Sequence, residues 1–278
     1  MPAPAIDALP AVAIPVYKTT LSAADGLSIE RTVAVLGRHA LFLVGPRHLS
    51  GWMQGLCAQH GGRLGYKVFD DAYFAGIRGY NALMLSRPFY AAFAGHSHLL
   101  IAQTDALVLS DDLLAWCDTG FSYIGAPWFV GGSEPVQPLR LAGVGNGGYS
   151  LRRLAHYAQV LATWRRVPNT VKANSGSPAP LARLVRQFKH GWWLAWNRPP
   201  LLPTSNEDVF WGVLVPAVCP FFRVPTPEQA LGFAFEVAPR HQYELNGRRL
   251  PFGCHAWERC DRGFWAEQLP FVREAGLS

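Results

Sequence analysis

Five stretches of this sequence carry residue types that do chemistry when a fold brings them together. In Leu99-Leu100-Ile101-Ala102-Gln103-Thr104-Asp105-Ala106-Leu107-Val108-Leu109 a carboxylate follows an apolar, strand-like run. Open α/β sheets bind ligands outside the carboxyl ends of their strands. A divalent cation held there against a diphosphate wants oxygen ligands, which Asp105 supplies. The same pattern fits an Asp that accepts backbone N–H groups in a turn. In Ser205-Asn206-Glu207-Asp208-Val209-Phe210-Trp211 two acids stand at a helix start. A carboxylate fixed on a rigid element makes a good general base. Acids in a first turn are also what any helix prefers.

The third stretch, Gly143-Val144-Gly145-Asn146-Gly147-Gly148-Tyr149-Ser150, satisfies GxGxxG. It is not a dinucleotide fingerprint. It lies mid-chain, and about 20 residues on, where an acid belongs, stand Arg165, Arg166 and Pro168. It reads as a loop whose missing side chains let a bulky ligand approach, or as a plain glycine turn. In Pro251-Phe252-Gly253-Cys254-His255-Ala256-Trp257 the His suits a metal ligand or a core residue. Cys254, His255 and Cys260 lack the paired spacing and fourth ligand of a zinc site. Lastly, Arg186 to Arg198 interleaves basic residues with Trp192, Trp193 and Trp196. Such a segment suits a membrane interface or a helix packed by its Trp face.

The elements that must position these residues are short. Apolar runs at Ala11–Val16, Ala40–Val44, Tyr66–Phe69, Leu99–Ala102 and Leu107–Leu109 predict buried strands. Helices are expected at Ser28–Arg38 with Ser28 as cap, Leu49–Gln59, Tyr80–Phe93 interrupted by Pro88, Leu151–Trp164, Leu181–Trp196 and Glu207–Val218. Their alternation gives an α/β fold with a mixed, mostly parallel sheet flanked by helices. At 278 residues, 50% hydrophobic and 16% charged, the chain is neither disordered nor a coiled coil. The net charge of +6 is modest for a nucleic-acid binder, and the basic residues are spread, so no nucleic-acid partner is expected. Five scattered cysteines without a CxxC pair point to a reducing compartment. The first residues lack the basic start of a signal peptide, and the longest apolar run, Phe210–Phe222, is shorter than the roughly 18 residues of a membrane span. A cytoplasmic chain is expected, soluble or peripheral to the inner face of the membrane, with Lys189–Trp196 as the contact.

In order along the chain come Pro15-Val16-Tyr17-Lys18, Tyr80-Asn81-Ala82-Leu83-Met84, Gln103-Thr104-Asp105-Ala106, Tyr123-Ile124-Gly125-Ala126-Pro127-Trp128, Gly145-Asn146-Gly147-Gly148-Tyr149-Ser150-Leu151-Arg152, Asn206-Glu207-Asp208-Val209-Phe210 and the Pro251–Trp257 segment. This set resembles a family of uncharacterised glycosyltransferase-like domains of bacteria and fungi, itself similar to the inverting glycosyltransferases of the GT-A fold. The resemblance runs from about Val12 to Trp257. It implies one GT-A-like (Rossmann-type) domain over 11–265, with a nucleotide-binding half at 11–128 and an acceptor half at 129–265, between tails at 1–10 and 266–278.

Those enzymes hold a manganese ion and a nucleotide-sugar diphosphate on an Asp-x-Asp motif. Here Asp105 falls on the second Asp, and Gln103 replaces the first with an uncharged carbonyl. The resemblance therefore implies Mn2+ or Mg2+ at Asp105 and His255, held more weakly or dispensed with. It places Tyr17, Lys18, Arg78, Asn81, Gln103, Thr104 and Asp105 on the donor, and Trp128, Gly147, Gly148, Tyr149 and Trp211 on the acceptor. Asp208 becomes the base, with Glu207 beside it as a second catalytic residue that hydrogen-bonds the donor sugar or caps the helix. The implied activity moves a sugar from a nucleotide-sugar, a UDP-sugar first, to a glycan or lipid-linked acceptor with inversion. The alternatives are a retaining transferase, or a non-catalytic glycan- or nucleotide-binding protein on the same fold.

Overall fold

A computed structural model describes residues 9–163 and 206–277. Strands β1 (Ala11–Pro15), β2 (Ala40–Pro46), β3 (Leu64–Phe69) and β4 (His98–Ala102) are parallel, in the order β3-β2-β1-β4. Helices α1 (Ala23–Leu36) and α2 (Ser50–Gln59) make the crossovers between the first three. Every residue of β1 and β4 is buried, as a strand covered on both faces requires. Alternate residues serve opposite faces. Val12, Ile14, Leu100 and Ala102 enter one core, while Ala11, Ala13, Leu99 and Ile101 enter the other. The chain leaves β1 towards β2 on one side, and β4 lies on the other. The carboxyl ends of β1 and β4 therefore flank a topological switch point, where such sheets open a crevice.

The sheet turns antiparallel beyond β4. Strand β9 (Tyr149–Arg153) pairs with β4 through His98 opposite Arg153, and β6 (Tyr123–Ile124) closes that edge. The helix expected from Leu151 begins instead at Leu154 (α6, Leu154–Thr163). Leu151 to Arg153 are claimed by ladders on both sides, a tertiary override of local preference. The α1 cap is likewise Ser22, in a capping box with Asp25, and Ser28 is a buried mid-helix residue. The stretch around Pro88 makes two helices, α3 (Gly76–Met84) and α4 (Arg87–Ala91). Ser86 caps the second, with Pro88 in the first turn, where no N–H is needed.

A second layer carries the rest of the site. β7 (Pro127–Phe129) and β8 (Leu141–Val144) form a hairpin-like pair. β5 (Leu107–Val108), β10 (Ala234–Phe235) and β11 (Gly253–Cys254) form a small sheet in which Cys254 lies opposite Leu107. One step further along, His255 comes level with the turn that carries Asp105. Helix α7 starts as Glu207–Val209, widens to a π turn over Phe210–Leu214 and ends as Val215–Val218. Pro216 has no N–H to donate, and the widened turn falls just before it.

Residues 266–277 are not a tail. Arg262–Gln268 and Pro270–Glu274 are helical, and Ala266, Leu269 and Val272 are buried in a third core with Trp257 and Trp265. Among the described residues no helix is long and apolar enough to cross a membrane. The helix expected at Leu181–Trp196, and the membrane contact Lys189–Trp196 within it, lie outside the described residues.

Candidate active site

Over the carboxyl ends of β1 and β4 lies a cleft of about 650 Å³, walled by Tyr17, Phe74, Ile77, Tyr80, Asn81, Gln103, Asp105, Gly147, Gly148, Glu207, Asp208 and His255. At its charged end the His255 ring stands among acceptors. Nδ1 is 3.0 Å from Glu236 Oε1, while Nε2 is 3.2 Å from both Asp105 Oδ1 and Gln103 Oε1. Burial alone would lower the His255 pKa, but hydrogen bonds to Asp105 and Glu236 raise it to about 10. Asp105 is held below its usual range: burial pushes it up, and the imidazolium overcomes that.

The donor set also fits a divalent cation. Two oxygens at 3.2 Å from one nitrogen are close to the edge of an octahedron with metal–ligand bonds of about 2.1 Å. Glu236 on Nδ1 fixes the ring with Nε2 aimed at the oxygens, as outer-shell carboxylates do for metal-bound histidines. A cation there would displace the Nε2 proton. Among the described residues no group of three His, Cys, Asp or Glu side chains could hold a metal, and here the third donor is an amide oxygen. Gly148 makes the space, since a Cβ on it would strike His255 Nε2 and come within 2.7 Å of Gln103 Oε1.

Asp208 sits where this cleft meets a second one of about 1040 Å³, walled by Trp128, Gly132–Glu134, Glu236–His241 and Arg259–Asp261. Asn206, Asp208 and Arg259 line both. The Asp208 carboxylate accepts the N–H of Val209 at 2.8 Å and of Asn146 at 3.2 Å. Its pKa is raised by burial, which those two bonds only partly offset. It is therefore a fixed carboxylate of increased basicity facing two cavities.

Several expected site residues are placed elsewhere. Glu207 is 3% exposed, and its Oε1 is 2.8 Å from an Arg152 guanidinium that is fully buried. Burial pushes the Glu207 carboxyl up to about 7 against the pull of Arg152, and the charge of Glu207 holds Arg152 protonated although burial opposes it. Glu207 lines the first cleft with its carboxylate paired to Arg152. Tyr149 is fully buried between Phe233 and Phe252, so its ring is core and not an acceptor platform. Trp211 is fully buried too, stacked near Tyr157 and Phe222 with its N–H donated to Met84 O, so it reaches no acceptor.

On the donor side, Thr104 donates to Asp25 Oδ1 at 2.6 Å and Lys18 to Asp25 Oδ2 at 2.7 Å. Both face the α1 capping box, to which Thr104 ties the Asp105 turn, and neither lines the cleft. Arg78 is exposed on α3 and lines neither cleft. Tyr17, Asn81, Gln103, Asp105, Gly147, Gly148 and Asp208 are brought together, with His255, in the first cleft. Trp128 is in the second, its ring against Gly145, where no side chain would fit. The room at Gly147 is taken by the Glu207 carboxylate and not by a ligand.

Four residues of the site escaped the sequence. Glu236 and Arg259 belong to no motif, and Asn206 opens one without a role assigned to it. Arg152 stood in a stretch read as a basic helix start. Its one signal was position, two residues after an apolar-flanked Ser in a run that could alternate as a strand.

No curated protein sequence matches this chain. Among solved structures it is similar to the galactosyltransferase LgtC in complex with donor and acceptor sugar analogues, at a TM-score of 0.54 and 12% identity over 96% of this chain and 95% of that one. An active-site mutant of LgtC gives a TM-score of 0.52 at 12% identity over 95% of each chain. The likeness at this identity is one of fold, and the mixed six-stranded sheet flanked by helices is that of the GT-A glycosyltransferases. A sequence profile described as "Protein of unknown function (DUF5672)" matches residues 63–255, from β3 to the His255 that closes the first cleft, and the chain belongs to that family.

Proposed function

We propose that this protein is a glycosyltransferase that moves a sugar from a nucleotide-sugar, a UDP-sugar in the first instance, to the hydroxyl of a glycan or lipid-linked acceptor with inversion at the anomeric carbon. One observation carries this reading: the Asp208 carboxylate lines both clefts, and only the first holds the Gln103, Asp105 and His255 cluster. A donor diphosphate belongs with that cluster and an acceptor in the cleft beside Trp128. Shared fold with LgtC supports the class of reaction.

Asp208 takes the proton of the acceptor hydroxyl as its oxygen bonds to the anomeric carbon. The bond from that carbon to the diphosphate oxygen breaks, and its electron pair leaves with the nucleoside diphosphate. Backbone N–H groups of Asn146 and Val209 hold the base in place, so little reorganisation is needed. Asp105, Gln103 and His255 would hold a Mn2+ or Mg2+ ion, which neutralises charge on the departing diphosphate. Tyr17 and Ile77, 56% and 76% exposed, offer apolar surface to the nucleoside at the rim. Trp128 offers a ring face to an acceptor sugar.

The test is Asp208→Asn with a UDP-sugar panel and a glycan acceptor panel. Turnover is expected to fall about 100-fold or more while donor affinity stays within about threefold. Turnover near wild type would remove Asp208 as the base. The anomeric configuration of the product, read by NMR, decides between inversion and retention.

A further inference from the structure

We infer that Arg152 is a positioning residue: through Glu207 it clamps the Asn146–Gly148 loop to the start of α7, and so sets where the Asp208 carboxylate stands between the clefts. The function proposed above enters only one arm of the test.

Arg152 is fully buried, and its guanidinium donates to Met84 Sδ at 3.5 Å on α3 besides four oxygen acceptors. Nε donates to Ser150 Oγ at 3.1 Å, Nη1 to the Tyr90 hydroxyl at 2.8 Å, and Nη2 to Gly147 O at 3.3 Å and Glu207 Oε1 at 2.8 Å. β9, α4, the glycine loop and α7 are thereby tied to one rigid, planar fork. The loop is closed on α7 a second time, through Asn146 N–H to Asp208 Oδ2. Asn146 holds the left-handed conformation at φ 72°, and its side-chain oxygen accepts Gly148 N–H at 3.1 Å.

A third tie, Glu207 N–H to Asn81 Oδ1 at 3.2 Å, also reaches α3. Among the described residues nothing pairs with the other Glu207 oxygen, Oε2, which is buried, and it is Arg152 that orients the carboxylate. Gly147 is required for this contact, because a Cβ there would occupy the place of Glu207 Oε1. A buried ion pair is a poor stability device, since desolvation offsets most of the attraction. What this one supplies is geometry, one residue from the base.

The test replaces the pair together, Arg152→Met with Glu207→Leu. This leaves no lone buried charge. Melting temperature is expected to stay within about 5 °C of wild type. The Asn146 amide is expected to exchange with solvent about tenfold faster or more, because its acceptor is no longer held. Turnover is expected to fall about 30-fold or more, with the donor KM within about threefold. A pair that only stabilises would leave exchange at Asn146 and kcat at wild-type levels in a double variant of normal melting temperature, and that result overturns the inference. Should the double variant not fold, Arg152→Lys keeps the charge and loses the fork, with the same two outcomes. A wild-type protein without transferase activity would defeat the proposed function, and exchange at Asn146 would still decide the role of Arg152.

Discussion

The two clefts that meet at Asp208 are built on opposite plans. In the first, charged groups are pre-aligned by partners at their backs: Glu236 behind His255, and Asp25 behind the Thr104–Asp105 turn. What faces the cavity is thereby fixed in orientation. In the second, charged wall residues are paired with each other, as Arg240 is with Asp261. Arg240 is spent on Asp261 and Glu267 at 2.8 and 2.7 Å, at the protein surface, and Trp128 is held by the space above Gly145. A site of the first kind suits a ligand of one invariant charge pattern, such as a diphosphate. The second, at about 1040 Å³ against 650 Å³, suits a larger ligand read by shape and by polar groups.

The sharpest way to break that contrast is Glu236→Gln. With the back of His255 loosened, cation-dependent affinity for a nucleoside diphosphate should fall about 10- to 100-fold. Unchanged affinity would mean that the back partner does not organise the first cleft. Trp128→Ala should do the reverse: an acceptor KM raised about tenfold, and nucleotide affinity as in wild type. Loss of nucleotide binding would merge the two clefts into one.

The smallest effect on activity is expected from His98→Phe, at the far end of β4, which serves as the scaffold control. Burial, then Arg153 and His156, lower the His98 pKa to about 4, so its folded value lies below the unfolded 6.5. Its contribution to stability is present above pH 6.5 and is lost as pH falls towards 4. Urea unfolding at pH 4.5 and 7.5 should show wild type losing about 2 kcal/mol more than the variant, after discounting for solvent screening, with kcat the same in both. Equal pH dependence would show that folding leaves the His98 pKa unshifted.

How far this could be read from the chain follows the same division. The apolar runs of β1, β2 and β4 announce a parallel sheet because both their faces are covered. Asp105, Gly148, Asp208 and His255 were visible because each has chemistry of its own at a motif. Tyr149 and Trp211 misled because an aromatic beside a motif looks the same whether it faces a sugar or a core. Their burial is decided by Phe233, Phe252, Tyr157 and Phe222, three of them far away in sequence. Lys18 and Thr104 misled for a related reason: a basic and a hydroxyl residue near a phosphate site are attractive donors until Asp25 claims both. Arg152 was hidden by its neighbours, since strand pairing on both sides, and not local propensity, turns Leu151–Arg153 into sheet.

The claim on which the rest depends is that the first cleft takes a nucleoside diphosphate with a divalent cation. Titration calorimetry with uridine diphosphate, in Mn2+ and in chelator, on wild type and Asp105→Asn, tests it directly. The structure leads us to expect Mn2+-dependent binding by the wild type, weakened at least about tenfold in the variant. Binding of equal strength in both proteins, or no binding of uridine or guanosine diphosphate by the wild type, would contradict it.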